Sequence, residues 1–182
     1  MDKLIAVSTY DKKAHKAFYK FHMLKKSKST YFIYAVCLMM VGLAVSNTIE
    51  APNITNITFS WTLAAFTILL APTLIFWKVN SIVNQEADQR KDLVETIEIN
   101  KVRIERKSEK GRIIYNWSDI ESIYEQEEYI FIYVGEKTGM LVIKKDIKEG
   151  SVEDLEKLAL KYMNKNKKGK VKYKKNKKVI KA

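Results

Sequence analysis

STYFIYAVCLMMVGLAVSNTI, Ser29 to Ile49, holds no charged residue, and neither does FSWTLAAFTILLAPTLIFW, Phe59 to Trp77. About 20 apolar residues cross a bilayer as helix, and each run approaches that length. The alternative, two buried helices of a soluble protein, seldom shows uncharged stretches this long. The runs therefore predict a two-helix transmembrane hairpin over 31–49 and 59–78, joined by a short loop at 50–58. No small-residue cleavage site follows a short apolar core, so the first run is expected to act as a retained signal-anchor. Pro72 falls within the second run, where a helix kink is a simpler reading than a transport site.

Lysine placement orients the hairpin. Residues 1–30 hold eight Lys and two Asp, the loop EAPNITNIT holds one Glu and no cation, and lysines resume at Lys78. The basic sides are expected to be cytoplasmic, so both termini are read as inside. The protein is expected in a bacterial cell membrane, since Lys outnumbers Arg 29 to 4, as in AT-rich genomes. The NIT triplets at Asn53 and Asn56 fit a glycosylation pattern, but a loop this short lies close to the bilayer.

Residues 1–30 read as a basic amphipathic segment. Tyr10, Ala14, Ala17, Phe18, Phe21 and Leu24 fall at helical spacing, with lysines largely off that stripe. Such a helix is expected in the membrane interface plane; packing on the soluble domain is the alternative. Residues 79–92 read as a helical linker. The period then becomes that of strands over 93–164: TIEIN, VRIERKS, IIYNW, DIESIYEQ, EYIFIYV and MLVIKK. EYIFIYV is expected to be a central strand, buried on both faces. SVEDLEKLALKYMNK begins with Ser151 and Asp154 as a capping box and closes the domain as a C-terminal helix. The predicted fold is an α+β membrane protein: a transmembrane hairpin plus a small, bent antiparallel β-domain capped by that helix.

The string YNWSDIESIYEQEEYIFIYV and the later VIKKDI resemble the YcxB-like family of bacterial membrane proteins. The likeness rests on Tyr115, Trp117, Ser118, Asp119 and Ile120, then Tyr129 to Val134 (including Phe131), then Ile143, Lys144 and Asp146. It implies a pleckstrin-homology-like cytoplasmic domain, a fold that serves binding more often than catalysis. Trp117 is read as a structural filler of the sheet corner, with a recognition aromatic as the alternative.

No cofactor or metal is expected. Two His and one Cys cannot build an ordinary zinc site, no nucleophile motif or phosphate-binding loop occurs, and neither apolar run contains an Asp, Glu, Lys, Arg or His. The charge is segregated: residues 78–160 carry 14 basic and 18 acidic side chains, whereas 161–182 carry eleven Lys and no acid. The net charge of +12 thus lies outside the predicted domain, which argues against nucleic-acid binding. Residues 165–182 are expected to be a disordered tail whose Lys167, Lys168, Lys170, Lys172, Lys174, Lys175, Lys177 and Lys178 touch anionic lipid headgroups.

These features predict a membrane-anchored, non-enzymatic interaction module at the cytoplasmic face, binding protein, anionic lipid or itself. An immunity or envelope-stress role against membrane-active peptides is the alternative. A transporter or enzyme subunit fits less well, because no intramembrane charge is available.

Overall fold

A computed structural model describes residues 3–50, 53–135, 138–165 and 169–175. Two compact units emerge: Tyr19–Gln85, and a second assembled from Met1–Phe18 and Glu86–Ala182.

The first unit contains the second half of helix α1 (Lys12–Lys25), all of α2 (Lys28–Glu50) and α3 (Ile54–Arg90) up to Gln85. Helices α2 and α3 are long and apolar enough to cross a membrane. Large side chains such as Phe32, Leu38, Phe59, Leu69 and Trp77 are exposed, while the small Ala44, Ser60, Ala64 and Ala71 are covered. A soluble helix pair would do the reverse; small residues inside and large ones outside suit helices solvated by lipid. The hydroxyls of Thr48, Thr58, Thr62, Thr67 and Thr73 each donate to the carbonyl four residues back, at 2.7–3.0 Å. Such bonds let polar residues persist in an apolar run. The Trp61 indole N–H donates to the Thr48 hydroxyl at 3.1 Å, tying α3 to α2. The second predicted span and the predicted linker form one continuous helix, α3.

The second unit is built on two sheets. The first has the order β4-β3-β2-β1-β8, from β1 (Lys3–Thr9), β2 (Val94–Asn100), β3 (Arg103–Ser108), β4 (Gly111–Asn116) and β8 (Ile147–Glu149). The second has the order β7-β6-β5-β9, from β5 (Ile120–Glu125), β6 (Tyr129–Val134), β7 (Thr138–Ile143) and β9 (Tyr173–Lys175). The six predicted strands are β2 to β7. Helix α4 (Val152–Tyr162) places Leu155, Leu158 and Ala159 in one core with Leu4, Ile97, Ile99 and Ile104 of the first sheet and Ile123, Ile130, Ile132 and Val142 of the second. Ser151 caps α4: its hydroxyl accepts from the Asp154 amide at 3.1 Å, and its own amide donates to Asp154 Oδ2 at 3.1 Å.

Three expectations are corrected. Residues 3–9, read as the start of a basic amphipathic segment, are strand β1, an interior strand of the first sheet. It pairs with β2 from Lys3↔Asn100 to Thr9↔Val94 and with β8 on its other side. Leu4 and Ala6 bury on the core face because alternate residues of a strand share a face. The domain is therefore not continuous over 93–164; it needs both ends of the chain. Gly150, between β8 and α4, adopts φ +79°, and a Cβ there would collide with the Lys3 carbonyl oxygen.

The start of α1 is not wholly interfacial either. Ala14 and Phe18 are buried, and the Phe18 ring lies 5.5 Å from that of Phe131 and 5.8 Å from that of Tyr133. The aromatic face of β6 thus gains a cover, which explains why β6 is buried on both sides. Gly139 makes room: a Cβ there would meet Phe18 at 2.8 Å.

Finally, the expected disorder of 165–182 fails at its described C-terminal part. Tyr173–Lys175 form β9, parallel to β5, with Val171 and Tyr173 packed on the core. A domain expected to be purely antiparallel therefore carries one parallel pair.

Candidate functional site

Strand β5, IESIYE, carries Glu121 and Glu125 on the side of the second sheet where β9 adds. The β9 segment, VKYKK, interleaves cations with Val171 and Tyr173. Docking it brings each of these acids a partner. Lys172 Nζ lies 2.9 Å from Glu121 Oε1, and Lys175 Nζ lies 2.6 Å from Glu156 Oε2 on α4. The Tyr173 hydroxyl donates to Glu125 Oε2 at 2.9 Å, while Lys144 Nζ reaches Glu125 Oε1 at 2.9 Å. Lys174 stands over the Tyr124 ring at 5.8 Å. The Ile123 amide donates to the Lys172 carbonyl at 3.0 Å, fixing the register.

The electrostatics follow from these contacts. Glu121 raises the pKa of Lys172, and Glu156 raises that of Lys175, each chiefly through the hydrogen bond. Burial, then the bond to Glu125, raises that of Tyr173. The local chemistry is a charge-matched clasp. The acidic excess of the fold is answered in part by its own lysine-rich end, which composition alone would have assigned to an external anion.

Of the lysines expected at lipid headgroups, Lys172 and Lys175 are ion-paired within the fold, Lys174 faces an aromatic ring, and Lys170 also has a partner. Lys167, Lys168, Lys177 and Lys178 lie outside the described residues. Sequence reasoning missed the clasp. Its signal was the alternation of lysine with Val171 and Tyr173, which a purely solvated tail does not require.

The aromatic signature residues sit elsewhere in the same unit. Trp117 opens a single 3-10 turn, Trp117–Asp119, and is 4 % exposed. Its indole N–H donates to the Asn100 carbonyl at 2.9 Å, and its ring stacks on Tyr162 with centroids 6.3 Å apart. Asp119 Oδ2 accepts from the Asn116 amide at 2.8 Å, closing the turn. Tyr115 packs partly against the core, and Tyr129 stacks on Phe131 at 6.3 Å. These five side chains join strands and helix to one another; none is gathered with the lysines of β9.

A second charged cluster, also missed, covers the first sheet. Arg103, Glu105 and Lys107 share one face of β3, and Arg112 follows on β4. Glu105 is 3 % exposed, covered by these long cations rather than sunk in the core: Arg112 Nε lies 2.5 Å away, Arg103 3.3 Å and Lys107 3.8 Å. The Arg112 hydrogen bond holds its carboxyl below the ordinary glutamate value. Among the described residues no three His, Cys, Asp or Glu side chains are grouped as metal ligands.

Neither a curated protein nor a solved structure matches the chain. Residues 99–159 match the family model described as YcxB-like protein. That segment runs from the end of β2 to the last turns of α4 and includes Trp117, the aromatic strand β6 and the clasp's acids, while leaving out β1 and β9. Over residues 99–159, then, the chain is similar to the YcxB-like family.

Proposed function

We propose that this chain is a membrane-anchored, non-enzymatic module that presents a pleckstrin-homology-like β-domain at the cytoplasmic face of a bacterial membrane. One observation carries the reading: two helices of spanning length expose their large apolar residues, while a separate two-sheet unit owns a complete core. The anchor therefore needs lipid, and the sheet unit does not. Two sheets that share one core with a C-terminal helix support the pleckstrin-homology-like assignment. Lysine-rich flanks on both sides of the hairpin support an orientation with both termini inside. The partner is a protein, an anionic lipid or a second copy of the chain.

The test is made in intact cells. Cysteine at Asn53, in a Cys37→Ser background, should react with an impermeant maleimide, and cysteine at Gln85 should react only after permeabilisation. Cross-linking from the sheet unit should then capture a reproducible neighbour or a dimer. Reaction at Gln85 from outside would overturn the orientation. Release of the protein by alkaline carbonate would overturn the anchor.

A further inference from the structure

Within the helical unit, α1, α2 and α3 enclose a cavity of about 270 Å³. Its walls include Tyr34 and Cys37 of α2 and Ile68, Pro72 and Phe76 of α3, with Lys20 contributed by α1. Polarity is graded along it. Lys20 Nζ stands 5.2 Å from the Phe76 ring centroid, next to Trp77 and Lys78, where the apolar run of α3 ends. From Phe76 the lining continues through Pro72 to Ile68, two turns or roughly 12 Å deeper into that run. One cation at the polar end and an apolar slot behind it match an amphiphile with an anionic head and a hydrocarbon tail. The aromatic and lysine residues that end the apolar run of α3 mark the headgroup level, so Lys20 stands where anionic headgroups lie.

We infer that this cavity is a binding site for one anionic phospholipid, with the phosphate at Lys20 and part of an acyl chain between Tyr34, Cys37 and Ile68. The volume is smaller than that of a typical drug-sized pocket, which suits partial burial of a single chain. The inference rests on the membrane-anchored reading and gives it a specific lipid contact, separate from the lysines of the C-terminal segment.

Cys37 is the single cysteine of the chain and lines the cavity, so it reports occupancy directly. Full-length protein is reconstituted in nanodiscs of phosphatidylcholine alone or with phosphatidylglycerol, and Cys37 is labelled with a small uncharged maleimide. Phosphatidylglycerol should slow labelling about five-fold, the factor set by one lysine near an anionic group. Lys20→Gln should abolish that difference, and Lys20→Arg should keep it. A control cysteine at Leu38, which is 74 % exposed, should show no such slowing in a Cys37→Ser background. Equal rates for Cys37 in both lipids, slowing that survives Lys20→Gln, or equal slowing at the Leu38 position would overturn the site. Protection by oleate in phosphatidylcholine discs without protection by phosphatidylglycerol would overturn the phospholipid assignment. Flotation with the lipid separates the two readings. A chain that floats yet shows no protection loses only this site, and a chain that does not float loses both.

Discussion

Strands β1 and β9 come from opposite ends of the chain and complete the two sheets of one unit, yet different forces hold them. β1 is an interior strand, paired on both sides, with Leu4 wholly buried in the shared core. β9 is three residues long, sits at an edge, and relies on Tyr173 with two cation–carboxylate pairs. Burial of apolar surface and a two-sided ladder depend little on salt, whereas partly exposed ion pairs are weak and screened. The first strand is therefore an integral part of the unit's core. The second behaves as a fastening added to a finished sheet.

The largest effect should come from removing β1. A fragment of residues 86–182 should show no cooperative melt by circular dichroism, and fusing residues 1–18 to it should restore one. A cooperative transition in 86–182 alone would break the distinction, since it would make β1 as dispensable as β9.

Next comes Trp117→Ala. The indole holds the Asn100 carbonyl, and Asn100 is the residue opposite Lys3 at the start of the β1 ladder. Losing a buried Trp typically costs about 3–5 kcal/mol, a large share of the ~5–15 kcal/mol that a domain holds. Urea unfolding of the detergent-solubilised protein, followed by circular dichroism, should show that loss. An unchanged midpoint would return Trp117 to the recognition role.

A smaller, pH-dependent effect is expected at Glu105. Its folded pKa lies below the ordinary value of 4.5 because Arg112 bonds the carboxylate. The stability it contributes is therefore present above that value and is lost as pH falls through the depressed one. Glu105→Gln should lower the melting temperature at neutral pH and flatten its decline between about pH 6 and pH 3. Parallel declines for the two proteins would remove Glu105 as a contributor.

The smallest effect sharpens the contrast at β9. In about 1 M salt the Debye length shrinks to about 3 Å, and the Lys172–Glu121 and Lys175–Glu156 pairs should weaken. Each pair is worth about 0.2–1 kcal/mol, so hydrogen exchange at the Ile123 amide should quicken about two- to thirty-fold. Amides of β1 should not respond. Salt-independent exchange at Ile123 would show that Tyr173 burial, and not charge, holds the strand.

How much of this was legible in the sequence differs by segment. Strands β2 to β7 follow from alternation in TIEIN and VRIERKS and from short apolar runs such as YIFIYV, and the α4 cap follows from Ser151 and Asp154. The burial of β6 on both faces could be read from its unbroken apolar run. Its cover could not, because Phe18 precedes it by more than a hundred residues, and only the assembled sheet shows that Gly139 leaves space for the ring. The candidate site was legible as a set of lysines but not as a clasp. Net charge counts cations without saying which carboxylates lie within 3 Å of them.

The sequence by itself determined the two spanning-length helices, since uninterrupted apolar length is a local property that needs no partner. It also determined the strand run from 94 to 143, because short runs of strand-forming residues between turn signals are local too. Tertiary structure alone decided the fate of both chain ends. KLIAVST and VKYKK are short and lie among lysines, and neither holds a strand conformation alone. Each becomes one only when distant backbone supplies the ladder: β2 and β8 for the first, β5 for the second. The hydrogen bonds and buried area that stabilise them exist between segments, so no window read along the chain contains them.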